Sequence, residues 1–181
     1  HRTDQGGEQF QKACVVGEAE KKAIRELSNL APLHNPANLQ GLEVAQKLFP
    51  NAPSVAVFDT EFHATMPAKS YLYAIPYKYY EEQRIRRYGF HGTSHQYVSE
   101  TAAEFLGKKI DEFNCITCHL GNGCSMTAVK NGKSYDTSMG MTPLAGLVMG
   151  TRCGDIDPAL HAFLAENTGM DIKAIDNMLN K

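Results

Sequence analysis

Between residues 113 and 137 the hydrophobic period is two, and the run is punctuated by Gly121-Asn122-Gly123 and Asn131-Gly132, so the chain must build antiparallel strands there. Strands are expected over 113–120, 124–130 and 133–137, with Asn131-Gly132 as a type I′ hairpin turn. Helical spacing surrounds this core: Ala19, Ala23, Ile24, Leu27 and Leu30 over 17–31, then Leu39, Leu42, Val44, Ala45 and Leu48 over 38–49. Pro32, Asn35 and Pro36 read as the break between those helices. A short apolar strand, 54–58, ends at Asp59. Residues 66–88 read as a connector, and 93–106 as a helix striped by Tyr97, Val98, Ala102, Phe105 and Leu106 and closed by Gly107. Helices are also expected from Asp157-Pro158 onward and over 170–181. The alternation defines an α/β chain with a mixed sheet covered by helices.

At 181 residues and 43% hydrophobic, the chain can bury a core. Eighteen basic against twenty acidic residues leave a net charge of −2, which points away from nucleic acid and toward small-molecule partners. No apolar run approaches the roughly 18 residues of a membrane helix. The five cysteines, 14, 115, 118, 124 and 153, are too few and too scattered for a disulfide scaffold, so a reducing compartment is expected, and Cys115 and Cys118 read as core thiols. The chain opens on His1 and its last helix lacks a terminator, so truncation at both ends is expected.

Three stretches carry chemistry. In His119-Leu120-Gly121-Asn122-Gly123-Cys124-Ser125 the glycines can turn backbone N–H groups toward an anion, although the same residues make a tight hairpin turn. In Tyr88-Gly-Phe-His-Gly-Thr-Ser-His95, His91 and His95 could share a helix face, but a zinc reading lacks a third ligand. Thr93 or Ser94 reads as the helix cap, leaving His91 free to point at a ligand. Between Asp136 and Pro158, Arg152 stands among glycines, where its planar fork suits a phosphoryl group; pairing with Asp155 or Asp157 is the alternative. Arg84, Arg86 and Arg87, beside Glu81 and Glu82, read as a solvated helix face, and the Tyr71, Tyr73, Tyr77, Tyr79, Tyr80 group as packing.

Taken in order, these strings, with Leu30-Ala-Pro-Leu-His-Asn-Pro-Ala-Asn38 and Val57-Phe-Asp-Thr-Glu-Phe-His-Ala-Thr-Met-Pro67, closely resemble the acetate kinases of the acetate and sugar kinase, heat-shock and actin superfamily. The resemblance implies ribonuclease H-like mixed sheets with flanking helices. Residues 1–65 would close a first domain, and 66–181 would form a connector and open a second, phosphate-binding one. It implies transfer of the ATP γ-phosphoryl group to acetate, giving acetyl phosphate and ADP, with Mg2+, in a cytoplasmic homodimer. His119, Leu120, Gly121, Asn122 and Gly123 would cradle ATP phosphates, and His91 and Arg152 would stabilise the transferring group. Arg2 would bind the acetate carboxylate, and Leu33, Phe90 and Pro143 would line the methyl pocket. The family assigns Asp59 acid/base work; a carboxylate substrate has no proton to lose at neutral pH, so Asp59 is better read as orienting Mg2+ or its waters.

Two departures stand out. The family string His-Arg-Val-Val-His-Gly-Gly-Glu here has Thr3, Asp4 and Gln5, which sets a carboxylate where the family has an apolar pocket residue. The family's amino-terminal Asn-x-Gly-Ser-Ser-Ser motif and carboxyl-terminal Gly-Gly-Ile-Gly-Glu-Asn motif are absent from these 181 residues, so no turnover is expected of them alone. A propionate or other short-chain carboxylate kinase is the alternative activity, and a catalytically silent binding module is the alternative class.

Overall fold

The computed structural model describes every residue except Leu33. Among the described residues the chain is mixed α/β, but the strands form two separate three-stranded sheets rather than one. In the first, β3 (Val55–Phe58) lies between β1 (Arg2–Thr3), to which it is parallel, and β2 (Cys14–Val15), to which it is antiparallel. Helices α1 (Glu18–Glu26) and α2 (Asn35–Leu48) bring Ile24, Leu39 and Leu42 against Val16, Ala56 and Phe58. Phe10 stacks on Phe58 with ring centroids 4.3 Å apart. Each such large side chain contributes about 1.5–3 kcal/mol by leaving water. The expected break at Asn35-Pro36 is instead the start of α2, because a proline in the first helical turn lacks only an N–H that would have no intrahelical acceptor. Val44 and Leu48, expected in the stripe, are exposed.

The second sheet is an antiparallel meander of β4 (Cys115–Leu120), β5 (Cys124–Lys130) and β6 (Lys133–Thr137). Asn131 at φ 51° and Gly132 at φ 70° make the expected hairpin turn. Helix α5 (Gly92–Phe105) packs on β4, but with the opposite face from that expected. Gly92, His95, Ser99 and Ala103 are buried, while Tyr97, Val98, Phe105 and Leu106 are exposed. Gly107, at φ 61°, follows the helix as its left-handed terminator. Cys118 lies on the exposed face of β4 and all five cysteines are free, so the reading of Cys115 and Cys118 as core thiols is corrected.

The connector holds α3 (Ala68–Tyr71) and α4 (Lys78–Gln83) and ends in two arginines that are not a solvated face. Arg86 is buried, donates to Glu8 Oε1 at 2.9 Å and lies over the Tyr71 ring at 3.7 Å. Arg87 Nη1 donates to the carbonyls of Thr137, Ser138 and Met139 at 2.8–3.1 Å, which ties the end of β6 to the connector. Helices α6 (Leu160–Thr168) and α7 (Ile172–Leu179) follow. Asp171 Oδ1 caps α7 by accepting from the Ala174 N–H at 2.7 Å, and buried Ile175 anchors it. Among the described residues no helix is long and apolar enough to cross a membrane.

Candidate active site

The site is built where the end of β3 meets the start of α5. Asp59 follows β3 directly, and the parallel pairing of β1 with β3 sets Arg2 beside it. Arg2 Nε lies 3.4 Å from Asp59 Oδ1, and Nη2 lies 3.1 Å from Oδ2. The backbone N–H of His91 donates to Asp59 Oδ2 at 2.7 Å, and that of Gly92 to the Asp59 carbonyl at 2.8 Å. His91 sits at φ 58°, a left-handed conformation that costs a residue with a Cβ about 1 kcal/mol or more, which the bond to a buried carboxylate offsets. His91 itself is the residue before α5, so Thr93 and Ser94 lie inside the helix and are not its cap.

Four histidines gather behind this junction. His91 Nδ1 lies 2.8 Å from Ser125 Oγ, the same hydroxyl lies 2.7 Å from His95 Nε2, and His95 Nδ1 lies 2.7 Å from Thr117 Oγ1. His63 Nδ1 meets Ser134 Oγ at 2.8 Å and its Nε2 meets the Phe90 carbonyl at 2.9 Å. His119 stacks on His91 and bonds Ser94 Oγ at 2.9 Å. Burial holds His63 down at about 4, partly opposed by its bond to the Phe90 carbonyl. Burial first, then His119, holds His91 at about 4, and burial with the neighbouring rings His63, His91 and His119 holds His95 at about 3. All three are neutral at pH 7.

The His119–Gly123 stretch is both a hairpin turn and part of the site. Gly121 donates its N–H to the Gly123 carbonyl at 3.0 Å, so that donor is spent within the loop. Gly123 is the point of convergence: a Cβ there would lie 3.3 Å from Arg152 Nη1 and 3.5 Å from His91 Nε2. Arg152 donates from Nη1 to the Pro143 carbonyl at 3.0 Å and makes no ion pair among the described residues. Asp155 and Asp157, its alternative partners, instead accept from the N–H groups of Gly146 and Ala159 at 2.7 and 2.9 Å. Leu120 and Asn122 are exposed at the loop's edge.

Phe90, Pro143 and Arg152 line one cleft of about 440 Å³, and Asp4 lines it with them. Arg2 reaches it through Asp4, at 3.8 Å. Leu33, expected in the same pocket, lies outside the described residues. Sequence reasoning missed what docks the amino-terminal segment: the buried Asn35 side chain bonds the Gln5 N–H and carbonyl, both at 3.0 Å, and Asn38 Oδ1 accepts from the Asp4 N–H at 3.1 Å. It also missed Ser125, whose only signal was its place one strand residue beyond the glycine loop. Among the described residues no group of three or more His, Cys, Asp and Glu side chains could hold a metal ion. His91 and His95 are joined through Ser125, with ring centroids 6.5 Å apart.

The two small sheets and their helices thus set a cleft lined by Asp4, Phe90, Pro143 and Arg152 beside a glycine loop on which Arg152 and the neutral His91 converge. The model of the Acetokinase family matches residues 1–181, and the chain belongs to that family. It is 62% identical over its whole length to an acetate kinase of Oleidesulfovibrio alaskensis and 61% identical to one of Thermotoga petrophila, and spans about 45% of each. Among solved structures, a propionate kinase from Francisella tularensis superposes on the whole chain with a TM-score of 0.95 at 52% identity, the chain covering 47% of it. An acetate kinase from Porphyromonas gingivalis superposes with a TM-score of 0.96 at 49% identity, the chain covering 45% of it.

Proposed function

We propose that these residues form the central part of the active site of an acetate kinase, which moves the ATP γ-phosphoryl group reversibly to a short carboxylate. The convergence of Arg152 and His91 on Gly123 carries this reading. Phosphoryl transfer spreads charge over three equatorial oxygens, so positioned donors are most of what a protein can offer. Arg152, held by the Pro143 carbonyl, presents its guanidinium without a competing carboxylate among the described residues. His91 is neutral, so it acts as an N–H donor rather than as a cation. The Thr117 hydroxyl reaches both the Thr127 carbonyl, at 3.5 Å, and His95 Nδ1, at 2.7 Å; with its hydrogen on the shorter contact, bonding runs from Thr117 to His95 Nδ1, from His95 Nε2–H to Ser125, and from the Ser125 hydroxyl to His91 Nδ1. That order leaves the His91 proton on Nε2, facing the glycine loop.

The reacting carboxylate is already ionised and needs no base. Asp59 therefore works by position, fixing the His91 backbone and the Arg2 guanidinium. Both Asp59 oxygens accept from those groups and keep further lone pairs, so the carboxylate would serve a Mg2+ carried by ATP by orienting the ion or its waters. That ion would neutralise phosphate charge. ATP phosphates would lie along His119–Gly123, and Arg2, Leu33, Phe90 and Pro143 would receive the acceptor. Residues 1–65 and 66–181 are proposed to belong to two domains, within a cytoplasmic homodimer.

The kinship to a propionate kinase at 52% identity favours a second reading, in which propionate is the acceptor. Both are tested in a full-length acetokinase carrying these residues, with acyl phosphate trapped as hydroxamate. ATP-dependent product from acetate or propionate supports the reading; no acyl phosphate from any short carboxylate, in protein that binds ATP, removes it.

A further inference from the structure

Asp4 is the residue of the cleft that the kinase reading leaves without a task. Its side chain is 9% exposed, and what exposure remains faces the cavity shared with Phe90, Pro143 and Arg152. Its position is set firmly. Asn38 holds its N–H, Asn35 holds both backbone groups of Gln5, and Thr60 Oγ1 accepts from the Gly6 N–H at 3.0 Å.

Yet among the described residues neither carboxylate oxygen has a hydrogen-bond partner. Arg2 Nη2 is 3.8 Å from Oδ1, and His34 Nδ1 is 3.8 Å from Oδ2. Arg2 is the nearer neighbour of Asp59, at 3.1 Å. Burial raises the Asp4 carboxyl above the usual range, with Asp59 adding to the rise and His34 and Arg2 opposing it. Neither oxygen is sealed from the cleft, so an acceptor held this firmly at its wall is placed to take a donor from a bound ligand.

The charges agree. With the buried histidines neutral, Arg2 lies between Asp4 and Asp59 while Arg152 and Asp176 line the same cleft, so three carboxylates face two arginines before any substrate enters. Any carboxylate adds a negative charge, which an ammonium group on it would offset, and a plain alkyl one sets its apolar end against the Asp4 oxygens, where a hydroxyl or ammonium group would donate. The far wall is polar too, with Asp176 and Asn177 of α7 lining the same cleft.

We infer that the acceptor is a short carboxylate bearing a hydrogen-bond donor, a hydroxyl or an ammonium group, which Asp4 binds. This rests on the carboxylate kinase reading. The chemistry at phosphorus is unchanged: a carboxylate oxygen bonds to the γ-phosphorus, the bond to the β,γ-bridging oxygen breaks, and ADP leaves with its electron pair. The donor group stays intact.

The test uses a full-length acetokinase carrying these residues, with ADP release and hydroxylamine trapping of the acyl phosphate. The acceptors are acetate, propionate, glycolate, glycine and β-alanine. Glycolate, or one of the amino acids, should exceed acetate in kcat/KM by about tenfold or more, the magnitude expected where a buried polar group is left unpaired by the wrong substrate. Asp4→Val should invert that order, and Asp4→Asn, which keeps an acceptor oxygen, should fall between. Glycolate in front identifies a hydroxyl, and glycine or β-alanine an ammonium group. Acetate or propionate in front, with the order unmoved by Asp4→Val, overturns the inference and leaves the kinase reading standing. No acyl phosphate from any acceptor with either protein overturns both.

Discussion

The imidazoles of His91 and His119 stack face to face, with centroids 3.9 Å apart and planes 21° apart. The stack forms one wall of the glycine loop and places two rings where two positive charges would repel. Keeping His91 neutral is therefore part of the architecture, and the site offers it as a donor across the whole range above its depressed value of about 4.

That depression has a signed consequence for stability. His63, His91 and His95 all titrate lower in the fold than the usual 6.5, so the folded state is favoured above pH 6.5 and loses that advantage as pH falls toward 4. For fully buried His63 the loss is about 3 kcal/mol over that window. Urea midpoints of the chain at pH 7.0, 5.5 and 4.5 should fall steeply, and His63→Gln should fall less. Parallel decline in the two proteins would mean that His63 protonates without cost.

Removing the hydroxyl between the histidines should disorder the donor. Ser125→Ala in a full-length acetokinase carrying these residues should lower kcat by about tenfold or more with little change in the KM for ATP, since positioning groups act on the transition state. The nitrogen chemical shifts of His91 should show a mixture of tautomers. Unchanged kcat with a single tautomer would leave Ser125 a packing residue.

Arg152→Ala should lower kcat by about 10²–10³, the usual cost of losing a donor to transition-state charge, and Arg152→Lys should recover only part, because an ammonium lacks the fork. The KM for ATP should move far less. A variant that loses only ATP affinity would place Arg152 in ground-state binding.

Two glycine substitutions should separate folding from chemistry. A methyl at Gly92 runs into the Asp59 carbonyl oxygen, so Gly92→Ala should destabilise the chain by about 1–3 kcal/mol. A methyl at Gly123 meets Arg152 and His91 first, at 3.3 and 3.5 Å, with no clash against backbone at those distances. Gly123→Ala should keep the melting temperature within a few degrees while weakening ATP use, because it fills the space those donors face. Equal stability losses at the two positions would contradict this division.

The sequence by itself determined the local elements and their punctuation. The strand ending at Asp59, the meander with its Asn131-Gly132 turn and the helix before Gly107 all follow from period and turn chemistry, which act over a few residues. The chemistry-bearing strings were legible for the same reason: glycines beside His119 and Arg152 are visible without contacts. What only the tertiary structure decided was which surface each element presents. Helix α5 carries an apolar stripe yet buries His95 and Ser99, because β4 and β5 offer hydroxyls from Thr117 and Ser125, and Ser99 bonds within its own helix. Arg86 and Arg87 look like a solvated run yet are buried or tied down by Glu8 and by the carbonyls of residues 137–139, distant in sequence. Asp4 shares its cleft with Phe90 and Arg152 because Asn35 and Asn38 clamp the segment from another helix. Burial and hydrogen bonding between remote segments are sums over three-dimensional neighbours, and hydrophobic periodicity along one element carries no record of them.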